Sequence, residues 1–169
     1  AGHLWNPDRQ TKSRLRCRCR RRLLYFVLRW IGYLSTIGVY GDHGGAWIDE
    51  QTPATPTNAR SIERAQAEQA WLAFGAKANK AVHVFRLAGI YGPGQSQLVQ
   101  LARGTAKRII KPGQVFNRIH VEDIARALDA SLTRPRPGAI YNVTDNEPAP
   151  PQDVVTFAAS LCNVTPPPE

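Results

Sequence analysis

The sequence predicts an α/β fold, in which the strands of a parallel sheet alternate with helices. Apolar stretches rich in β-branched and aromatic residues occur at 31–36, 81–90 and 138–144, and this composition is typical of buried strands. Between them, segments 59–78 and 121–132 carry apolar residues at helical spacing. This alternation is typical of βαβ units, whose strands lie side by side in parallel.

The positive charge of the chain is concentrated at its N-terminal end. Residues 1–30 hold nine Lys and Arg against one acidic residue, whereas residues 31–169 hold 13 against 12, so most of the net charge of +9 lies in the first segment. The length suits one domain, and 43% hydrophobic residues are ordinary for a soluble globular protein. We therefore predict an atypical basic segment at 1–30 and a near-neutral domain at 31–165, for which no nucleic-acid partner is expected.

Residues 1–22 differ in composition from the rest of the chain. Their arginines follow neither a helical nor a strand period, so we expect poor order before about residue 23. Three interpretations stay open: a basic arm for nucleic acid or anionic lipid, a solvated tail, or a stretch foreign to the fold, such as coding read in a shifted frame. The chain contains no methionine, which leads us to expect a fragment of a longer protein.

The three cysteines, Cys17, Cys19 and Cys162, give neither a disulfide framework nor the CxxC spacing of a metal site. This usage predicts a reduced, cytoplasmic protein without a bound metal. No run of 18 apolar residues occurs, so we expect no membrane span.

The first predicted strand, 31–36, leads into a loop at 41–57 that is rich in Gly, Pro and Thr. We expect His43 in this loop to be exposed. Thr57 or Asn58 can then cap the helix predicted at 59–78.

Two features of the middle of the chain make specific structural predictions. The helix at 59–78 carries an apolar stripe that should face the sheet, formed by Ile62, Ala65, Leu72 and Ala76. Arg86 stands inside the apolar strand 81–90, and a buried charge requires a partner. We expect a carboxylate beside it, with Glu122 or Asp123 as candidates.

The remaining elements follow from turn residues and periodicity. Gly92, Pro93 and Gly94 predict a turn, and the Pro112-Gly113 pair predicts a turn between two short strands. The remaining predicted elements are a short helix at 96–103, a helix at 121–132, a strand at 138–144 and a closing helix at 151–162.

A doubly wound nucleotide-binding sheet carries a GxGxxG turn between its first strand and helix. The glycine-rich stretches "GGAWIDE" and "GPGQSQ" have neither that spacing nor that placement. We therefore predict a partial doubly wound sheet without its first βα units, followed by a small C-terminal substrate-binding part.

Four fragments in order carry a family resemblance: "YLSTIGVYGD" (33–42), "FRLAGIYGPG" (85–94), "NRIHVEDIARAL" (117–128) and "IYNVTDNEP" (140–148). Together they resemble the C-terminal portion of the extended and atypical short-chain dehydrogenase/reductases, the NAD-dependent epimerases and dehydratases, in a YeeZ-like pattern. The resemblance implies a Rossmann fold and NAD or NADP as cofactor.

The resemblance also implies roles for individual residues. The catalytic hydroxyl of the family corresponds to Thr36, with Ser35 beside it, and such a hydroxyl can hydrogen-bond a substrate oxygen during hydride transfer. The alternative is a threonine bonded to backbone at a strand end. The positions of the acid/base Tyr and its Lys are occupied by Arg60 and Arg64. An arginine stays protonated, so Arg60 cannot replace the phenol, whereas Arg64 can still hold a ribose or phosphate. Tyr33, Tyr40 and Tyr91 stay open as substitutes for the missing phenol.

The remaining sites implied by the resemblance follow the second and later strands. Cofactor-binding residues are expected at Leu87, Ala88, Gly89 and Ile90, and substrate-binding residues at Asn117, Arg118 and His120. A lone histidine at a helix start also suits a structural cap, so that alternative stays open for His120.

Four functional hypotheses follow. The chain is an NAD(P)-dependent epimerase, dehydratase or reductase acting on a sugar nucleotide or related small molecule; or a non-catalytic dinucleotide-binding or sensor protein; or a truncated, inactive fragment; or a nucleic-acid binder through its basic arm. The near-neutral domain disfavours the last of these.

Overall fold

The computed structural model describes residues 28–169. The basic segment at 1–22, with the three interpretations given for it, lies outside the described residues, and so do Cys17 and Cys19. In chain order the elements are β1 (Trp30–Thr36), a 3₁₀ turn (Ile37–Tyr40), α1 (Ala59–Ala78), β2 (Ala81–Leu87), β3 (Gly89–Tyr91), α2 (Gln97–Ala102), β4 (Arg118–His120), α3 (Val121–Thr133), β5 (Ile140–Val143) and α4 (Pro151–Leu161).

Two small parallel sheets organise the described chain. The larger has the order β1-β2-β5, and the smaller pairs β3 with β4. In the larger sheet Ser35, Arg86 and Asn142 are aligned across the three strands. Because aligned residues of neighbouring strands point to the same face, these three polar side chains form one row near the carboxyl ends of the strands.

A cluster of buried apolar residues joins the two sheets. Phe85 and Leu87 of β2 pack there with Ile119 of β4 and Ile124 of α3. Each such buried side chain contributes about 1.5–3 kcal/mol relative to exposure to water. The cluster therefore fixes β3, β4 and α3 against the larger sheet.

Helix α1 begins where the sequence predicts, but its buried face differs from the prediction. Asn58 is the cap, since its side chain accepts a hydrogen bond from the Ser61 amide at 2.9 Å. The residues of α1 that are buried are Ser61, Glu68 and Gly75, whereas Ile62 is 41% exposed. The predicted stripe through Ile62 and Ala76 is therefore wrong.

The cause of this difference is a buried charge together with a close contact. A Cβ atom on Gly75 would lie 2.6 Å from Cγ2 of Val82, so only glycine lets α1 approach β2 this closely. Two helical turns before Gly75, Glu68 faces β2 because it pairs with Arg86. The expected partners of Arg86, Glu122 and Asp123, instead lie on the exposed side of α3.

Two strand predictions also need correction. The strand predicted at 81–90 is divided at Ala88: its amide still donates to the Val143 carbonyl of β5 at 3.2 Å, whereas residues 89–91 pair with β4. The two strands predicted around Pro112-Gly113 do not pair with each other. Instead, residues 118–120 form β4 and pair in parallel with β3, which is a non-local contact that turn residues cannot reveal.

Within residues 28–169, no helix is long and apolar enough to span a bilayer. In the same part of the chain, no group of three or more His, Cys, Asp and Glu side chains is arranged to hold a metal ion.

Candidate active-site cleft

A cleft of about 880 Å³ opens at the carboxyl end of the larger sheet. One wall is the loop that follows the 3₁₀ turn, including His43 and Trp47, and the other is the segment 111–117. Asn142 and Thr144, at the end of β5, also line it. In open parallel sheets this edge is where ligands bind, so the cleft is the candidate site.

His43 is half-buried rather than exposed, because its Nε2 lies 3.1 Å from the Tyr40 carbonyl oxygen. Trp47, by contrast, is 84% exposed. The loop therefore combines an anchored start with an aromatic side chain that is free to contact a ligand.

The two hydroxyls implied as catalytic are both engaged in internal hydrogen bonds. Ser35 is buried and donates to Oε1 of Glu68. Thr36 caps the 3₁₀ turn, and its Oγ1 accepts from the Gly38 amide at 3.1 Å. This backbone bond is the structural alternative given for Thr36, although its hydroxyl proton is still available for donation, and neither Ser35 nor Thr36 is among the residues that line the cleft.

A buried ion pair lies near the cleft, in which Arg86 has the carboxylate partner that the sequence predicts, supplied by Glu68 instead of Glu122 or Asp123. Nη2 of Arg86 lies 2.8 Å from Oε2 of Glu68, and both side chains are at least 94% buried. The Arg86 guanidinium also lies over the ring of Tyr40, 4.6 Å from its centroid. Burial by itself lowers the pKa of Arg86, but the hydrogen bonds and charges of Glu68 and Tyr40 outweigh it, so the pKa rises and the cation persists.

Tyr40 connects this ion pair to the cleft. Its side chain is 1% exposed, and its hydroxyl donates to Oδ1 of Asn142 at 2.8 Å. The backbone amide of Asn142 in turn donates to Oε1 of Glu50 at 2.7 Å, which ties the long loop to the sheet edge. The sequence named Tyr40 only as a possible replacement for the missing phenol and did not single out Glu50 or Asn142, because the proximity of the three residues depends on strand register and loop closure.

The two arginines at the implied Tyr and Lys positions lie on α1. Arg60 is exposed, and Arg64 donates from Nη1 to the Leu34 carbonyl of β1 at 2.9 Å. The Arg64 cation therefore lies against the edge of β1, with further N–H groups left for a ligand.

The implied cofactor-binding strand end is only partly accessible. Leu87 and Ala88 are buried, whereas Ile90 is 45% exposed. A Cβ atom on Gly89 would lie 2.5 Å from Cε1 of Phe116, so this glycine makes room for a side chain of the protein. Of these four residues, Ile90 offers the largest side-chain surface to a ligand.

The three implied substrate residues occupy three different environments. Asn117 lines the cleft, and Arg118 lines a second, smaller cavity of about 390 Å³. His120 caps α3, with its Nδ1 accepting from the Glu122 amide at 3.3 Å. Burial lowers the pKa of Arg118, and the nearby Asp145 carboxylate opposes that effect.

The sequence and the fold both match proteins of one family. The sequence model of the NAD dependent epimerase/dehydratase family matches residues 24–144, which is more than half of the chain. The chain belongs to this family. The Rossmann-like α/β fold and the resemblance inferred from the four sequence fragments are thereby confirmed.

Three similar proteins illustrate the match. Protein YeeZ of Escherichia coli is 32% identical over 138 residues, covering 80% of this chain and 47% of YeeZ. A conserved protein of unknown function from Silicibacter pomeroyi is 61% identical, with a TM-score of 0.78 over 83% of this chain and 49% of that one. The dTDP-glucose 4,6-dehydratase of Bacillus anthracis, solved in complex with NAD, is 28% identical, with a TM-score of 0.70 over 79% of this chain and 46% of that one.

This chain spans only part of the proteins that it matches. The covered share is 34% for the mouse dTDP-D-glucose 4,6-dehydratase and 49% for the Silicibacter pomeroyi structure.

Proposed function

We propose that this chain is the substrate-facing part of a cytoplasmic, NAD(P)-dependent oxidoreductase of the epimerase/dehydratase type. Its ligand would be a sugar nucleotide or a related small molecule. The observation that carries the proposal is the cleft at the carboxyl ends of three parallel strands, where this class of fold binds its ligands. One relative of known structure is a dTDP-glucose dehydratase, which supports the same ligand class.

The chemistry of the cleft suits this ligand class. Asn117, Asn142 and Thr144 offer amide and hydroxyl groups, which can both donate to and accept from sugar hydroxyls. Lys111 adds one cation to the same wall as Asn117, and a lysine binds phosphate as a point charge.

A nicotinamide cofactor would accept or return the hydride in such a reaction. Two residues expected to bind the cofactor carry suitable groups: Arg64 has spare N–H donors for a ribose or phosphate, and Ile90 offers an apolar surface to a ring, although neither is among the residues that line the cleft. No glycine-rich phosphate loop occurs in the sequence, so the pyrophosphate end has no cradle in the described residues. Thr36 would hydrogen-bond a substrate oxygen through its free hydroxyl proton.

A second candidate function, a non-catalytic dinucleotide-binding or sensor protein, is favoured by the replaced acid/base pair. Arg60 and Arg64 stay protonated and cannot accept a proton from substrate. Burial, and then its hydrogen bond to Asp145, raises the pKa of Tyr91, one of the tyrosines that could replace the missing phenol, which disfavours the phenolate that a general base would need. An inactive fragment is the third candidate.

Calorimetry with UDP-glucose, dTDP-glucose, NAD and NADP separates these candidates. Binding followed by turnover, read from chromatographic conversion of the sugar nucleotide, supports the enzyme. Binding without turnover supports the sensor. Absence of heat with all four compounds at millimolar concentration would contradict both and favour the inactive fragment.

A matched pair of lysine variants tests the position of the ligand. Lys111→Gln should weaken UDP-glucose binding about tenfold, because it removes a charge-assisted contact to phosphate. Lys107→Gln, at the second cavity, should leave the affinity unchanged. Equal effects of the two substitutions would exclude the cleft as the phosphate site.

A further inference from the structure

A continuous polar row crosses the sheet beneath the cleft. Glu68 accepts from Ser35 on one side and from Arg86 on the other, and Arg86 lies against Tyr40, which donates to Asn142. Four of these five residues are buried, and Asn142, at the end of the row, lines the cleft. The row thus runs from buried charge to the ligand side of the sheet.

The buried cation also fixes the Tyr40 ring in this row. The Arg86 guanidinium lies over the face of this ring, 4.6 Å from its centroid, so the ring is held in place while its hydroxyl keeps a proton to donate. That proton goes to Oδ1 of Asn142 at 2.8 Å. The amide oxygen of Asn142 is therefore occupied inside the protein, and the orientation of the amide group is set.

The backbone of Asn142 is fixed as well. Its amide donates to Glu50 at 2.7 Å, and its strand is aligned with Arg86 of β2. With both the backbone and Oδ1 engaged, the group that Asn142 can present to the cleft is its side-chain Nδ2, which carries two N–H donors.

We infer that Asn142 is a ligand-binding and specificity-determining residue, which donates from Nδ2 to an acceptor oxygen of the ligand, and that Tyr40 is its positioning residue. This inference rests on the proposed function, since it concerns the same cleft. The Nδ2 group of Asn142 would favour ligands that place a phosphate, carbonyl or ether oxygen at the end of β5. It would disfavour ligands that place a hydrogen-bond donor there, because that donor would face the N–H groups of Asn142.

A double-mutant cycle with UDP-glucose tests the inference by calorimetry. Asn142→Leu should weaken binding about tenfold, and Tyr40→Phe about fivefold, because the amide is then free to rotate. In the Asn142→Leu background, Tyr40→Phe should have no further effect, since Tyr40 acts through Asn142. Additive losses of affinity would overturn the positioning role, because they are the result expected of a tyrosine that serves only the structure.

The control variant is Tyr141→Phe. Tyr141 precedes Asn142 on β5, points to the opposite face and stacks on Phe85 with ring centroids 5.4 Å apart. Its hydroxyl should be without influence on UDP-glucose affinity. Thermal melts of all variants distinguish a lost contact from a lost fold.

An NMR measurement gives a second, independent readout. Addition of UDP-glucose should shift the Asn142 side-chain amide resonances in the wild-type protein, and Tyr40→Phe should alter those resonances before any ligand is added. Wild-type binding that is unaffected by Asn142→Leu would overturn the inference alone. A wild-type protein that binds neither UDP-glucose nor dTDP-glucose would overturn the inference together with the proposed function.

Discussion

Strand β2 buries two basic side chains only three residues apart, and the protein treats them in opposite ways. Arg86, near the carboxyl end, keeps its charge because Glu68 pairs with it. His83, nearer the amino end, is fully buried between the Trp30 indole nitrogen, 3.3 Å from Nδ1, and the Arg136 amide, 3.0 Å from Nε2. Burial lowers the pKa of His83, so it is neutral at physiological pH.

The difference between these two residues separates a functional end of the sheet from a structural end. The Arg86 charge is part of the polar row that reaches Asn142 and the cleft, and its desolvation is offset by a partner. The His83 ring packs among aromatic rings, including Tyr141 at 5.8 Å, and serves the core. In this chain the buried charge is retained at the end of the sheet that carries the proposed ligand cleft.

The largest expected effect comes from removing the partner of Arg86. Glu68→Leu should lower the free energy of unfolding by about 3–5 kcal/mol, because it leaves an uncompensated buried cation. Urea denaturation measures the loss. Glu63→Leu, on the exposed face of the same helix, is the control and should change stability by at most about 0.5 kcal/mol. A small effect of Glu68→Leu would show that the pair is not buried as described.

A smaller effect is expected when both charges are removed together. The variant Glu68→Leu/Arg86→Leu should recover most of the stability lost in Glu68→Leu and lie within about 2 kcal/mol of the wild type, because apolar residues often replace a buried ion pair without cost. Calorimetry on the same variant should show weaker UDP-glucose binding, since Tyr40 loses the Arg86 guanidinium that packs over its ring. Full stability with unchanged affinity would mean that the row has no bearing on the cleft.

A modest effect, at the other end of the strand, concerns pH. The folded-state pKa of His83 lies below its ordinary value of 6.5, so the unfolded chain binds more protons as the pH falls below that value. Stability contributed by neutral His83 is therefore complete above about pH 6.5 and declines as the pH falls toward the folded-state pKa.

The sign is checked by measuring the free energy of unfolding in urea between about pH 8 and about pH 5, the range in which histidines titrate. His83→Gln should flatten the slope in that window, whereas His43→Gln should retain it. A slope that survives His83→Gln would assign the pH dependence to another group.

Local signals in the sequence were sufficient for much of the fold. The helix at 59–78, its cap at Asn58 and the α/β alternation follow from periodicity and capping chemistry, which act within a few residues. The buried face of α1 did not follow, because Glu68 is buried through a partner 18 residues away on β2. A charged residue is predicted to be exposed as long as the buried partner that would pair with it is unknown.

The candidate site shows the same limit more strongly. The roles of Thr36 and Asn117 are predictions from the resemblance, whereas the contact of Tyr40 with Asn142 spans 102 residues and depends on the register of three strands. The strands predicted around residues 112–113 failed for the same reason, since β4 pairs with β3 rather than with its neighbour in sequence. Non-local pairing is set by the whole sheet and leaves no local pattern.

Hydrogen–deuterium exchange with and without UDP-glucose tests the central claim, that the carboxyl end of the sheet binds the ligand and the amino end supports the core. We predict slower exchange at residues 41–48 and 111–117 and at the end of β5 when UDP-glucose is added, with no change around His83. Protection confined to the amino end of the sheet, or no protection of the cleft at ligand concentrations that produce binding heat, would contradict it.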